Sequence, residues 1–319
     1  VTKISIRGNH SDVTEFILRG FRILYPFQIC PFVLVLLTYF TTIAGNTLII
    51  VTILVDRGLH TPMYFFLGNL SFLDIWYTSN IIPKMLQGFL AEEGVVISFS
   101  GCVTQLYIFG SQAATEILLL TVMAYDRYLA ICNPLRYTAL MNARVCVELA
   151  SCSWLGGFLF NPVIMAWIYR LRFCGPNEID HFFCDFMPLL ACADTDRNEV
   201  AVYTIAVSVI VVSFLLILLS YIHILHIILS ISSAAGRSKA FSTFSSHLIV
   251  VTLFFKSSFV TYLRPKSSYS LNNDTLLSLF YSVVSPMLNP LIYSLRNKEV
   301  KEALRRVMTR KIFILKLGE

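Results

Sequence analysis

An aspartate and an arginine, Asp126-Arg127, stand near the end of an apolar run that begins near Cys102 and reads Met123-Ala124-Tyr125-Asp126-Arg127-Tyr128-Leu129-Ala130-Ile131-Cys132 at its close. Charges at the end of a hydrocarbon-spanning helix are costly unless they reach water or each other. Two chemistries fit the pair. Both charges could snorkel to the membrane surface, or Asp126 could hold Arg127 at rest and release it to meet a partner. Three more ionisable groups stand inside apolar runs: Asp74, Glu116 and Lys256. Carboxylates so placed can hold a hard cation together with water, or one of them can simply carry a proton, whereas an amine there needs an acceptor. No nucleophile, base and orienting group can be placed together at one depth, so an enzyme is not expected.

The elements that must position these groups follow from composition. Of 319 residues, 56% are hydrophobic and only 14% charged, and mean hydropathy is +0.70. Soluble domains carry nearly twice that charge density, so the chain is an integral membrane protein. A spanning helix needs about 20 apolar residues. Seven stretches qualify, roughly 27–55, 63–86, 102–125, 149–168, 200–229, 240–262 and 275–295. The expected organisation is an N-terminal segment 1–26 outside the cell, a helical bundle over 27–295, and a cytoplasmic amphipathic helix and tail over 296–319. In that tail Val300, Leu304 and Val307 share one face, as in a helix lying on the inner leaflet.

With the N-terminus outside, more Lys and Arg fall on the cytoplasmic side, in the sense of the positive-inside bias. Outer acids such as Glu92, Glu93, Glu178, Asp180 and Asp185 cancel the outer bases, so the net charge of +6 describes a basic inner face. That face suits anionic lipid and an acidic partner and gives no reason to invoke nucleic acid. Residues 1–25 lack an apolar core of signal-peptide length, so the first span is expected to act as its own anchor. Asn9-His10-Ser11 is a glycosylation acceptor that fits an outside location. Of eight cysteines, Cys102, Cys174, Cys184 and Cys192 fall on the outer side, where disulfides form, in any of three pairings. Cys30, Cys132, Cys146 and Cys152 are expected to be free thiols.

Several strings, in order along the chain, resemble the olfactory receptors, a branch of the rhodopsin-like G-protein-coupled receptors. They are Gly45-Asn46, Leu59-His60-Thr61-Pro62-Met63-Tyr64, Asn69-Leu70-Ser71-Phe72-Leu73-Asp74, the Met123 to Cys132 string, and Phe173-Cys174-Gly175-Pro176-Asn177-Glu178-Ile179-Asp180-His181-Phe182-Phe183-Cys184-Asp185. Lys239-Ala240-Phe241-Ser242-Thr243-Phe244-Ser245-Ser246-His247-Leu248 and Pro286-Met287-Leu288-Asn289-Pro290-Leu291-Ile292-Tyr293 complete the series. The resemblance implies an all-α bundle of seven membrane-spanning helices with a short amphipathic eighth helix in the cytoplasm. It implies disulfides Cys102–Cys184 and Cys174–Cys192, and a sodium site at Asp74 and Glu116 with no other cofactor. It also implies an activation network of Asp126, Arg127, Tyr128, Tyr221, His247, Asn289, Pro290 and Tyr293.

The function so implied is reception of a small volatile ligand at the plasma membrane. Helical phase and family position place Phe109, Gly110, Ala113 and Ala114, then Ile205 and Val209, then Phe255, Ser258, Phe259 and Tyr262 around an apolar cavity with a few hydroxyls. A ligand preferring the active arrangement shifts the population toward it. The sixth span then moves outward and Arg127 meets the stimulatory olfactory heterotrimeric G protein, which acts on adenylyl cyclase. Lys256 departs from the pattern; it lies nine residues before Pro265, about 13 Å along a helix. It is expected at the cavity's edge, either as a structural lysine or orienting a ligand that bears an acceptor. The competing class is an ion-coupled transporter or proton pump using Asp74, Glu116 and Lys256, although no two-half repeat is evident.

Overall fold

The computed structural model describes residues 14–20, 28–91, 93–168, 177–185, 189, 198–262, 278–296 and 299–307. Asn9, Cys174 and Cys192, and the side chains of Ile205 and Tyr262, lie outside the described residues. Among the described residues seven helices form the bundle: α1 (Ile29–Val55), α2 (Pro62–Leu90), α3 (Phe99–Cys132), α5 (Ala143–Ile168), α6 (Asn198–Ser230), α7 (Ala234–Tyr262) and, after a π turn over Phe280–Val284, α8 (Ser285–Arg296). A short α4 (Pro134–Leu140) links α3 to α5, and a helix over residues 299–307, α9, follows α8. Helices α2, α3, α5 and α7 run past the apolar limits expected for them, α3 by seven residues beyond Tyr125, because a helix does not stop where the hydrocarbon does.

Among the described residues, α1, α3, most of α5 and the 207–230 part of α6 are long and apolar enough to cross a membrane alone. The second span fails that test because it carries Asn69, Asp74, Asn80 and Lys84. Its polar groups can stay because other helices enclose them: Ser71, Asp74 and Thr78 are all buried. Outward faces are apolar instead, as Leu34, Leu37 and Phe40 on α1 show. This is the inverse of a soluble bundle and follows from a solvent that cannot hydrogen-bond.

Local chemistry sets the helix ends and bends. Pro62 begins α2 at the first turn, where its missing N–H is no loss. Ser98 caps α3 by accepting from Gly101 N–H at 3.1 Å. In the last span Pro286 offers no N–H to the carbonyl of Ser282, and the preceding Ser285 reaches five residues back to the carbonyl of Phe280, the spacing of a π turn. Pro290 leaves the carbonyl of Pro286 free in turn. Asn46 of α1 supplies it with a donor at 3.4 Å. Gly45 beside it has no side chain, and a Cβ there would lie 3.1 Å from the Pro290 ring. The Gly45-Asn46 pair is thus a fitted seat for the bend of α8.

A small sheet, which the sequence did not announce, covers one end of the bundle. Strand β1 (Glu15–Leu18) lies between β2 (Val95–Ser98), antiparallel, and β3 (Glu178–Ile179), parallel. The alternation of β1 turns Phe16 and Leu18 inward, onto Ile97, Leu106, Ile168 and Cys184. Gly20 passes so close to the backbone of His181 and Phe182 that a Cβ would come within 2.5 Å.

Candidate functional site

At the sheet-covered end, Cys102 of α3 and Cys184 are disulfide-bonded, with Cα atoms 5.4 Å apart. Gln105, one turn along α3, accepts from the Cys184 N–H at 3.0 Å and donates to the Asn80 carbonyl of α2 at 3.0 Å. The loop is therefore held by a covalent bond and by an amide shared with a second helix. His181 is buried in that loop, facing the Phe183 carbonyl through Nδ1 at 3.2 Å and stacked on Phe182. Burial pushes its pKa down to about 4. Cys30, Cys132, Cys146 and Cys152 are free thiols.

Below the loop, Phe109 is buried and packs against Tyr77 of α2, at 5.3 Å between ring centroids, and against Phe183 at 5.0 Å. Ala113 and Ala114 are half-buried on the same helix. Gly110 faces Asn161 of α5, whose amide oxygen would stand 3.0 Å from a Cβ; the absent side chain there admits a neighbouring helix. On the far side, Phe255 and Phe259 of α7 pack on Phe214 of α6 at 5.4 and 5.0 Å, with Ser258 half-buried beside them. Tyr77, Phe183 and Phe214 extend the set drawn from the sequence. Phe183 had a signal, in the loop string that precedes Cys184.

Two expected members lie elsewhere. Val209 is 42% exposed on α6, facing away from the bundle, because the helix turns about 100° per residue and the buried line runs through Ile210. Lys256 is also exposed, while Phe255 and Ser257 on either side of it are buried. The single step from Phe255 carries it onto the outer surface of α7 and not to the rim of an internal cavity.

Midway, Asp74 is buried and accepts from Asn289 Nδ2 at 3.0 and 3.3 Å. Glu116 is buried on α3, near enough for its charge to act on Asp74. One turn above Glu116, the Gln112 amide is fully enclosed and neither of its polar atoms has a protein partner; the Ser111 hydroxyl and Asn46 Oδ1 are in the same condition. The carboxylate oxygens of Asp74 and Glu116 are the kind a hard cation takes. No cluster of three or more His, Cys, Asp or Glu exists among the described residues.

At the opposite end, Asp126 is wholly buried. Arg127 grips one carboxylate oxygen through both Nη2 and Nε, the latter at 3.1 Å. The Tyr137 hydroxyl of α4 donates to the other oxygen at 2.7 Å. Burial and the neighbouring Asp126 charge push the Tyr137 phenol up, so it remains a donor. Sequence spacing gave no hint of Tyr137, since α4 is a separate short helix of about two turns that packs on α3. Tyr128 lies edge-on to His223 of α6. Tyr221 of α6 and His247 of α7 share a hydrogen bond of 2.7 Å, and Tyr293 is buried on α8 beyond Pro290. Asp126, Arg127, Tyr221 and His247 thus form two close pairs, Asn289 joins Asp74, and Pro290 shapes the bend.

The α9 helix packs under this end. Val300, Ala303 and Val307 are buried, with Leu304 beside them. Tyr64 donates to Glu299 at 2.7 Å, and Arg306 pairs with Asp56 at 2.8 Å.

Comparison with known proteins agrees with this geometry. A family model described as olfactory receptor matches residues 35–311. The chain is 52% identical over 305 residues to Olfactory receptor 6N1 of Homo sapiens, covering 95% of this chain and 97% of that one. It is 49% identical over 302 residues to Olfactory receptor 5AP2 of Mus musculus, covering 94% and 95%. It is 46% identical over 308 residues to Olfactory receptor 226 of Rattus norvegicus, covering 95% and 94%. The relatives are receptors and not enzymes. With seven bundled helices among the described residues, a disulfide-tied loop at one end, a paired Asp-Arg at the other and these relatives along nearly its whole length, the chain belongs to the olfactory receptor family.

Proposed function

We propose that the protein is an odorant receptor of the plasma membrane that couples ligand binding to a stimulatory heterotrimeric G protein and cyclic-AMP production. The observation that carries the reading is the latch at Asp126, which both Arg127 and Tyr137 hold shut. Its release would free a guanidinium at the end of the bundle. Next to it Leu135 of α4 is 97% exposed, an apolar knob of the kind a protein partner covers. The disulfide supports the orientation, because such bonds form on the oxidising side; the sheet and residues 1–26 are then extracellular, and α9 and the tail cytoplasmic.

The ligand site is the aromatic region between Phe109, Phe183 and Tyr77 on one side and Phe255, Phe259 and Phe214 on the other, with Ala113, Ala114 and Ser258 half-buried near it. Ile205 and Tyr262 belong to it by the sequence reading alone. Those side chains suit a small, mostly hydrophobic molecule with one hydroxyl-compatible group. A ligand that binds better when α7 is displaced opens the Tyr221–His247 contact and biases the latch toward release. Asp74 and Glu116 would hold a sodium ion, which supplies positive charge between the two carboxylates. Asn9 would carry glycan and Cys174–Cys192 would close the smaller loop.

Arg127→Ala should abolish ligand-dependent cyclic-AMP production in cells while the receptor still reaches the surface, measured by antibody staining of intact cells. Full signalling by that variant would overturn the role given to the latch.

A further inference from the structure

The carboxylates at membrane depth are enclosed in this bundle: Asp74, Glu116 and Asp126 are all buried. Lys256 is not. It lies on the outer face of α7, exposed, about 9 Å along the axis from Tyr262 at the helix end. It makes no hydrogen bond or ion pair among the described residues. Thr252, one turn earlier on the same face, is exposed as well. A cation facing lipid tails is costly unless it meets a counter-charge.

Three sources of counter-charge differ in where they lie. Lipid phosphates lie at the surface, above the level of Lys256. A second copy of this chain offers no carboxylate there, since Asp74 and Glu116 face its interior, and would set lysine against lysine on this face. A carboxylate carried by the apolar span of another membrane protein meets the amine at its own depth, in a medium where opposite charges attract strongly. We infer that the Thr252–Lys256 face of α7 is a docking site for a membrane-spanning helix of another protein that bears an aspartate or glutamate at the depth of Lys256. The inference is independent of the odorant reading.

The test co-expresses the full chain with a designed single-span helix of leucine and alanine carrying one central glutamate, or leucine at that position. Energy transfer between fluorescent tags on the two proteins is read at the cell surface. The glutamate probe should associate about fivefold better than the leucine probe. Lys256→Leu should bring it down to the leucine level, and Lys256→Arg should keep it. Lys256→Glu should reject the glutamate probe and accept a probe carrying lysine. Equal association of both probes with the unaltered chain, or no response to Lys256→Leu, would overturn the site and place the amine with lipid headgroups. Should Lys256→Leu fail to reach the surface, the comparison of the two probes on the unaltered chain still decides.

Discussion

His181 shows how one buried side chain can make the sheet-covered cap sensitive to acid. Its ring is enclosed between Phe182 and Phe183, with Nε2 lacking a partner. Burial disfavours the charged ring and lowers its pKa from 6.5 to about 4. The unfolded loop therefore binds a proton first as the pH falls. Stability from this residue is complete above pH 6.5, declines between 6.5 and about 4, and changes no further below that. The full loss amounts to about 3 kcal/mol. His181→Gln, which does not titrate, should flatten that decline in the thermal midpoint of the purified receptor, measured from pH 7 to pH 4. An unchanged decline would assign it to carboxylates instead.

At the scale of elements, the bend of α8 depends on a partner in another helix. Pro290 frees the Pro286 carbonyl, and Asn46 is the donor that reaches it. Removing that donor leaves a buried carbonyl unpaired, a cost of about 1–3 kcal/mol. Asn46→Leu should therefore lower the thermal midpoint and shift basal cyclic-AMP output, because Asn289, on the turn just before Pro290, holds Asp74. Pro290→Ala restores the helical bond and should rescue the stability of Asn46→Leu in the double variant. If the two losses simply add, the carbonyl is satisfied in another way. The β1 strand makes the same point for the cap, since it contributes Phe16 and Leu18 to an apolar cluster that β2 and β3 could not close alone.

For the whole molecule, the disulfide joins two regions 82 residues apart in sequence, and the closed loop limits the freedom of the unfolded chain by about 4.5 kcal/mol in a chain-entropy estimate. Cys102→Ser should leave most of the protein inside the cell, measured as the ratio of surface to total receptor. Gln105 still ties Cys184 to α3 and α2, so Gln105→Leu should deepen the retention of Cys102→Ser more than it affects the intact chain. Normal surface level and ligand response in Cys102→Ser would show that the cap holds without its covalent bond.

By itself the sequence determined the class of molecule, the order of the seven apolar spans, and the paired Asp126-Arg127, because apolar length and the cost of charge in hydrocarbon are local properties of the chain. The Cys102–Cys184 pairing came from family resemblance, as spacing alone left three choices open. What only the tertiary structure decided is which way each side chain faces. Helical phase and family position put Val209 on the cavity and one helical step put Lys256 at its edge, yet both are exposed on the outer surface, since phase fixes angles within a helix but not the rotation of that helix against its neighbours. Tyr137 on Asp126, Asn46 on the Pro286 carbonyl and β1 between β2 and β3 are contacts between distant segments, and packing of the whole bundle brings them together.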